Sequence, residues 1–184
     1  MLIQRTNPVG ADVQIQRFQS LIHSGLVKKW GIQANDTVYR CYSRCYRNKT
    51  TDGYIAENYE GSNEYKEVYW DDTLSALSFF GLSGPADFNT GTMTTGVHLV
   101  FFVNLQKLYP SISHRADEEV HKDVLSVIGK GMHGHTLTDI TYWIENVLRE
   151  YPGSRRDNRL AYVDMHPIHC FRLNFSLNYN INNC

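Results

Sequence analysis

The chain has 184 residues, of which 42% are hydrophobic and 20% charged, and its formal net charge is −1. This combination excludes an intrinsically disordered chain, which needs low hydrophobicity together with a high net charge. The length favours a single domain over residues 1–184, and the sequence has neither the about 18 consecutive apolar residues of a membrane span nor the basic-then-apolar start of a secretion signal.

The small net charge conceals two oppositely charged blocks. Residues 1–50 hold eight Lys or Arg against two acids, a local charge of +6, whereas residues 51–100 hold one base against eight acids, a local charge of −7. Such blocks either neutralise each other within one fold or form a head-to-tail contact between identical subunits. The sequence leaves both interpretations open.

The first predicted element is a helix from Asp12 to Trp30. Asp12 is suited to the N-cap position, Gly31 can end the helix, and apolar side chains recur at helical spacing between them. These apolar side chains are Ile15, Phe18, Ile22 and Leu26.

A strand is predicted next, in the segment DTVYRCYSRCYRN, which is rich in Tyr, Val and Thr. Alternation divides its side chains into one face with Val38, Arg40, Tyr42, Arg44 and Tyr46 and another with Tyr39, Cys41, Ser43 and Cys45. At about 3.3 Å per residue, Cys41 and Cys45 would lie about 13 Å apart on one face. That separation is too long for a disulfide or a shared zinc site, so free thiols are expected.

Residues 57–95 are acidic at first and then rich in Gly, Ser, Thr and Asn. Because helix signals are scarce there, we predict a long loop or hairpin region with short strands in EYKEVYW and ALSFFGL, and we assign an interaction surface to it. The following segment, GVHLVFFVNL, is apolar on both faces. It predicts a central strand covered on both sides, with another subunit as one candidate cover.

Two helices and a long strand are predicted in the C-terminal part. ADEEVHKDVLSVI has acids in its first turn and one apolar face, which indicates a helix. A third helix is predicted from Thr136 to Leu148, because Thr136 and Asp139 match a capping box ahead of an apolar stripe. The final segment alternates, with Phe171, Leu173, Phe175, Leu177, Tyr179 and Ile181 inward and Arg172, Asn174, Ser176, Asn178 and Asn180 outward.

The order of these elements predicts an α+β fold. Helices would pack on one face of an antiparallel or mixed β-sheet, and long loops would project from it.

Catalytic motifs are absent from the sequence: there is neither a Gly-rich phosphate loop nor a Gly-x-Ser-x-Gly nucleophile motif. His133, His135, His166 and His169, together with Asp164, are residue types that bind zinc or iron. Their spacing matches no metal-site motif, so we predict no enzymatic activity, no cofactor and no metal site. A metal-dependent enzyme built on these histidines stays as an alternative.

A second alternative uses the strand face that carries Arg40, Tyr42, Arg44 and Tyr46. Cations beside stackable rings are typical of surfaces that bind single-stranded nucleic acid. Alternating Arg and Tyr also occurs on ordinary solvated sheet faces, where the rings cover the Arg stems. A cytoplasmic single-stranded nucleic-acid-binding module is therefore kept as an alternative function.

The arrangement resembles a known family. An N-terminal helix, a strand, a long loop region, GVHLVFFVNL leading through YPS into ADEEVHKDVLSVI, and a closing FRLNFSLNYNI strand together resemble the tail terminator and head-to-tail joining proteins of tailed bacteriophages. The arrangement is also similar to the ring proteins that continue the portal channel in crAss-like phages. This resemblance implies a tail-terminator-like α+β subunit that assembles into a six- or twelve-fold ring around the DNA passage.

If the resemblance holds, the protein is a structural component of the virion at the head–tail junction, assembled in the host cytoplasm. Its partners would be copies of itself, the portal or adjacent connector and tail proteins and, non-specifically, genomic DNA, with no membrane contact. The candidate DNA-contacting residues are Arg40, Arg44, Arg155, Arg156 and Arg159. The candidate subunit-interface residues are Glu57, Glu60, Glu64, Glu67, Asp71 and Asp72.

Overall fold

The computed structural model describes residues 1–33, 36–61, 64–129, 135–155 and 165–180. A mixed six-stranded sheet and an antiparallel three-stranded sheet combine with four helices, which confirms the predicted α+β class. In chain order the elements are β1 (Leu2–Ile3), α1 (Ala11–Lys29), β2 (Tyr39–Arg44), β3 (Tyr46–Thr50), β4 (Gly53–Gly61), β5 (Glu64–Glu67), β6 (Ala76–Asn89), β7 (Thr92–Asn104), α2 (Leu105–Leu108), α3 (Asp117–Ile128), β8 (His135–Tyr142), α4 (Ile144–Val147), a 3₁₀ turn (Pro152–Arg155) and β9 (Ile168–Asn180).

The large sheet has the strand order β1-β2-β6-β7-β9-β8. Strands β1, β2 and β6 pair in parallel, and the remaining neighbours pair antiparallel. All thirteen residues of β7 pair with β9, from Thr92 opposite Asn180 to Asn104 opposite Ile168. The central position predicted for this strand is therefore confirmed.

The first face of the large sheet, which carries Leu99 and Phe101 of β7, packs against α1 and α3. The predicted apolar side chains of α1 are all buried there, and α3 adds Val120 and Val124. The two helices cross closely at Gly25, where a Cβ atom would lie only 2.5 Å from Cγ1 of Val127. Among the described residues, no helix is long and apolar enough to cross a membrane.

The second face of the large sheet, which carries Val100 and Phe102 of β7, holds a separate apolar core. The chain itself covers this face, since Ala56 of the small sheet, Trp70 and Val147 of α4 all pack into this core. Both faces of β7 are thus buried, as the doubly apolar sequence predicts.

The predicted third helix is wrong over most of its length. Residues His135–Tyr142 form β8, which pairs antiparallel with β9 from Leu177 to Phe171, and only Ile144–Val147 is helical. Threonines and an isoleucine favour the extended conformation in this segment. The edge of β9 then provides backbone hydrogen-bond partners for an extended segment. These bonds favour a strand over the helix that the spacing of apolar residues indicates.

A β-bulge in β2 changes which face each side chain occupies. Cys41 pairs with Ser78 and Arg44 pairs with Phe80, so β2 contains one more residue than β6 over this interval. Cys41 consequently lies in the core of the first face, whereas Tyr42 and Cys45 lie in that of the second. The prediction that Cys41 and Cys45 share a face is wrong, and both are buried free thiols.

The region 57–95, predicted as a long loop or hairpin, is mostly strand. Its strands in EYKEVYW and ALSFFGL are confirmed as β5 and the start of β6, and β6 and β7 form a long hairpin. The turn is made by Thr90 and Gly91, whose φ angles of 47° and 82° suit a tight hairpin turn.

The inward face of β9 gives a direct test of the fold. Phe175 is 2% exposed and its ring lies edge-on to Phe18 at 5.3 Å. We expect Phe175→Asp to abolish folding, because the lost ring alone costs about 3–5 kcal/mol and an unpaired buried carboxylate adds to that. Ser176→Asp on the other face should change stability by less than about 1 kcal/mol. Circular dichroism and urea unfolding measure both, and native-like Phe175→Asp protein would refute the face assignment.

Candidate assembly surface

The small sheet, β3-β4-β5, separates positive and negative charge at its two edges. Strand β3 carries exposed Arg47 and Lys49, and β5 carries exposed Glu64 and Glu67. The strand order places β3 and β5 at opposite edges. Within the described part of the chain, neither strand pairs with anything beyond β4.

The four glutamates predicted at a subunit interface lie on β4 and β5 but on two faces of this sheet, Glu57 and Glu67 on one and Glu60 and Glu64 on the other. The register sets Glu57 directly opposite Glu67, an arrangement of like charges that disfavours the pairing unless cations are close. Lys66 Nζ lies 2.8 Å from a Glu60 carboxylate oxygen and 3.9 Å from one of Glu64. The hydrogen bond to Glu60 raises the pKa of Lys66, yet Glu60 and Glu64 against one base leave this face of the β5 side negative.

The β3 edge holds its positive charge in a defined position. The Arg47 guanidinium lies 3.6 Å from the centre of the Tyr54 ring, a cation–π contact that restricts the side chain. On the opposite face of the small sheet, the Tyr65 ring makes a T-shaped contact with Tyr46 and a tilted contact with Tyr59, with centroids 5.7 and 5.1 Å apart. These contacts connect all three strands.

Asp71 and Asp72, predicted at the same interface, lie instead in the segment before β6. Asp71 accepts hydrogen bonds from the Thr73 backbone N–H at 2.9 Å and from its hydroxyl at 2.8 Å, and these bonds lower the pKa of Asp71. Asp72 accepts a hydrogen bond from Trp70 Nε1 at 3.0 Å. Both carboxylates therefore accept hydrogen bonds within one turn. This turn lies outside the small sheet, whereas the four glutamates belong to β4 and β5.

The candidate DNA-contacting arginines of β2 are engaged inside the molecule. Arg40 pairs with Asp71 at 3.7 Å, so the two charge blocks meet partly within one chain. Arg44 Nε lies 3.0 Å from Asp12 Oδ1, and Arg5 pairs with the other oxygen of this buried carboxylate. Through their contacts with Asp12, Arg5 and Arg44 connect the segment after β1 and strand β2 to the start of α1.

The other candidate arginines follow the last helical turn. Arg155 ends the 3₁₀ turn Pro152–Arg155, and Arg156 and Arg159 lie outside the described residues. The stacking face required by the nucleic-acid alternative does not form, because Tyr42 is buried in the core of the second face and Arg40 and Arg44 are paired with acids.

The tip of the β6–β7 hairpin forms an arm, made of residues 86–89 and 92–95. A bulge lies between Ser83 and Ala86, and β2 pairs with β6 only as far as Phe80, so the β6 half of the arm extends beyond β2, whereas the β7 half stays paired with β9. Phe88 near the tip is 64% exposed. The arm is a second exposed feature, but it carries little charge.

A buried ion pair lies on the second face of the large sheet, at the point where its apolar core ends. Arg172 of β9, predicted outward, is fully buried, which corrects that prediction. Its guanidinium donates two hydrogen bonds to the Glu150 carboxylate, one of them at 3.0 Å, and one to Ser83 Oγ at 3.0 Å. Burial acts to raise the pKa of Glu150, but the bonds from Arg172 and Arg149 outweigh it and lower the pKa to about 2.

His98 extends this network into the core. Its Nδ1 lies 2.8 Å from Ser83 Oγ and its Nε2 lies 3.1 Å from the Tyr151 hydroxyl. Burial, reinforced by the nearby Arg172 charge, lowers the pKa of His98 to about 3, so the ring is neutral.

The histidines proposed for a metal site do not assemble into one. His135 pairs with Leu177 and His169 lies eight residues earlier on β9, which separates them by about 26 Å. His166 is exposed and contacts Gln106. His133 and Asp164 lie outside the described residues, within which no group of three or more His, Cys, Asp or Glu is placed to hold a metal ion.

His169 instead meets His121 of α3, a contact that the sequence does not predict. The two Nε2 atoms lie 3.0 Å apart, so one ring donates a hydrogen bond to the other. Arg115 lies 3.3 Å from His169 Nδ1, and Glu118 and Asp117 lie 4.0 Å from His121 and His169 respectively. Burial lowers the pKa of both rings, that of His169 to about 4.

No protein-family model matches the chain, and no curated protein matches it.

The Arg172–Glu150 pair predicts a pH-dependent stability. Glu150→Gln should lower the free energy of unfolding at pH 7 by up to about 3 kcal/mol, because it leaves a buried guanidinium without its counter-charge. The folded-state pKa lies below the unfolded value of about 4.3, so this contribution is present above pH 5 and disappears as the pH falls towards 2. Urea unfolding at several pH values measures the convergence of variant and wild type. Arg149→Gln, which removes an exposed partner of Glu150, should cost less than about 1 kcal/mol.

The histidine pair predicts a second loss of stability at mildly acidic pH. The unfolded chain takes up a proton at His169 near pH 6.5, whereas the folded ring stays neutral to about pH 4. Stability from this group is therefore complete above pH 6.5 and decreases as the pH falls to 4. In His169→Gln the decrease in unfolding free energy over this interval should be smaller than in wild type, and an unchanged slope would contradict the assignment.

Proposed function

We propose that the protein is a ring-forming structural subunit of a tailed-phage virion, located at the head–tail junction, where it connects or seals the DNA channel. The observation that carries this proposal is the separation of charge on the small sheet, with Arg and Lys at one edge and Glu at the other. A surface of one sign that fits a second surface elsewhere on the same molecule produces head-to-tail contacts, and these generate a closed ring when the rotation between copies closes.

The division between core and surface supports the same function. Both faces of the large sheet are covered by the chain itself, so neither needs a partner for its burial. Among the described residues, the edges of the small sheet and the β6 side of the hairpin arm are exposed. Contacts with copies of the protein and with portal, connector or tail proteins would use these parts.

Contact with genomic DNA forms part of the proposal in a modified form. Arg40 and Arg44 are already paired with Asp71 and Asp12, so they contribute little free positive charge to a channel wall. A channel that lets DNA slide needs few strong phosphate contacts, because each one adds to affinity for the backbone. The proposal therefore assigns DNA a passing contact and assigns the binding energy to protein neighbours.

The decisive measurement is imaging of virions that contain the protein. We expect electron cryo-microscopy to show six or twelve copies arranged as one ring around the axis between portal and tail. Treatment that removes the ring should leave particles that fail to retain DNA or to attach tails. Virions in which the protein is absent, or present as isolated copies away from the axis, would refute the proposal.

A further inference from the structure

The two edge strands of the small sheet run in the same direction. Strand β3 is antiparallel to β4, and β4 is antiparallel to β5, so β3 and β5 are parallel to each other at opposite edges. A second copy related by translation and a small rotation would bring its β3 alongside β5 of the first. The two strands have similar lengths, five and four residues, and would pair as a parallel ladder.

Part of the charge at both edges lies on one face of the sheet, whereas Glu67, which stands opposite Glu57, lies on the other face. Residues directly opposite in an antiparallel pair share a face, and Arg47 pairs with Ala56 while Lys66 pairs with Asn58, two positions further along β4. Lys49, two residues from Arg47, belongs to this face as well. Glu64 of β5 and Glu60 of the neighbouring strand β4 lie there too, since each is two residues from a residue of this face and both contact Lys66. We call this the Ala56 face.

We propose that β5 of one copy pairs with β3 of the next, and that Glu60 and Glu64 of the first copy bind Arg47 and Lys49 of the second on the Ala56 face. This inference rests on the proposed ring assembly and specifies the surfaces that form it. Backbone hydrogen bonds between the two edges provide continuity, and the charged side chains provide register and direction. Like edges repel, so head-to-tail pairing is selected over head-to-head pairing.

Two complementary variants test the contact on the full chain. On the Ala56 face, Glu60→Lys/Glu64→Lys makes the β5 side basic like the β3 side, and Arg47→Glu/Lys49→Glu makes the β3 side acidic like the β5 side. Each variant alone should associate at least about tenfold more weakly than wild type in sedimentation velocity at low ionic strength, because attractive pairs become repulsive. An equimolar mixture of the two should regain association, since each basic edge then meets an acidic one.

A matched control reverses the same number of charges elsewhere. Glu118→Lys/Glu145→Lys changes exposed residues of α3 and α4 and should associate like wild type. Circular dichroism of every variant establishes that the fold is retained, as expected for exposed positions.

The outcomes separate this inference from the proposed function. If wild type associates but the edge variants match it, or if the mixture does not regain association, the pairing of β5 with β3 is wrong while a ring by other surfaces stands. If wild type stays monomeric in solution, the inference is also overturned. The proposed function fails only if the protein forms no ring in virions.

Discussion

Strand β7 imposes the main constraint on this fold. Its backbone is paired on both sides, with β6 and β9, and its side chains are apolar on both faces. Each face must therefore be covered, since leaving either in water forfeits about 25 cal/mol for every Å² of apolar surface. Helices α1 and α3 cover the first face, and the small sheet with Trp70, α4 and Tyr151 covers the second.

Apolar packing does not extend over the whole second face. Towards the hairpin arm, Val100 and Phe102 give way to His98, which pairs along the sheet with Asn174 of β9. Arg172 and Glu150 lie at this boundary and, with Ser83, convert an apolar core into a polar surface through satisfied hydrogen bonds. The location explains why a fully buried arginine is tolerated, because its counter-charge and acceptors are supplied by three different elements.

A domain whose two cores are complete without a partner is free to use its edges for assembly. The small sheet is anchored by Ala56 and by the backbone N–H of that residue, which donates to Ser154 Oγ at 3.3 Å. Its edges nevertheless project with opposite charges, since Arg47 and Lys49 lie at one side and Glu64 and Glu67 at the other. Charge on exposed edge strands normally prevents unwanted sheet extension. Opposite charges on the two edges of one sheet prevent like-to-like pairing and permit ordered pairing between copies.

The sequence predicted correctly those elements whose conformation follows from the spacing of their own apolar residues, whichever segment they pack against. Helix α1 follows from the spacing of Ile15, Phe18, Ile22 and Leu26, all of which are buried. The basic edge at Arg47 and Lys49 was missed, because nothing in the sequence indicates that β3 ends up at the edge opposite β5.

Periodicity by itself determined α1, α3 and β9, because burial on a helix or strand repeats at a fixed interval along the chain, and an apolar run on both faces determined β7. Tertiary structure alone decided β8, where the backbone edge of β9 outweighed a helical spacing of apolar residues, and the faces of β2, where one bulge residue exchanged Cys45 between cores. It also decided the fate of Arg172, whose burial depends on a carboxylate 22 residues away. These features depend on which groups meet in the folded structure. Hydrogen-bond partners that are distant in the chain produce no periodic pattern of residues, so the sequence alone does not predict them.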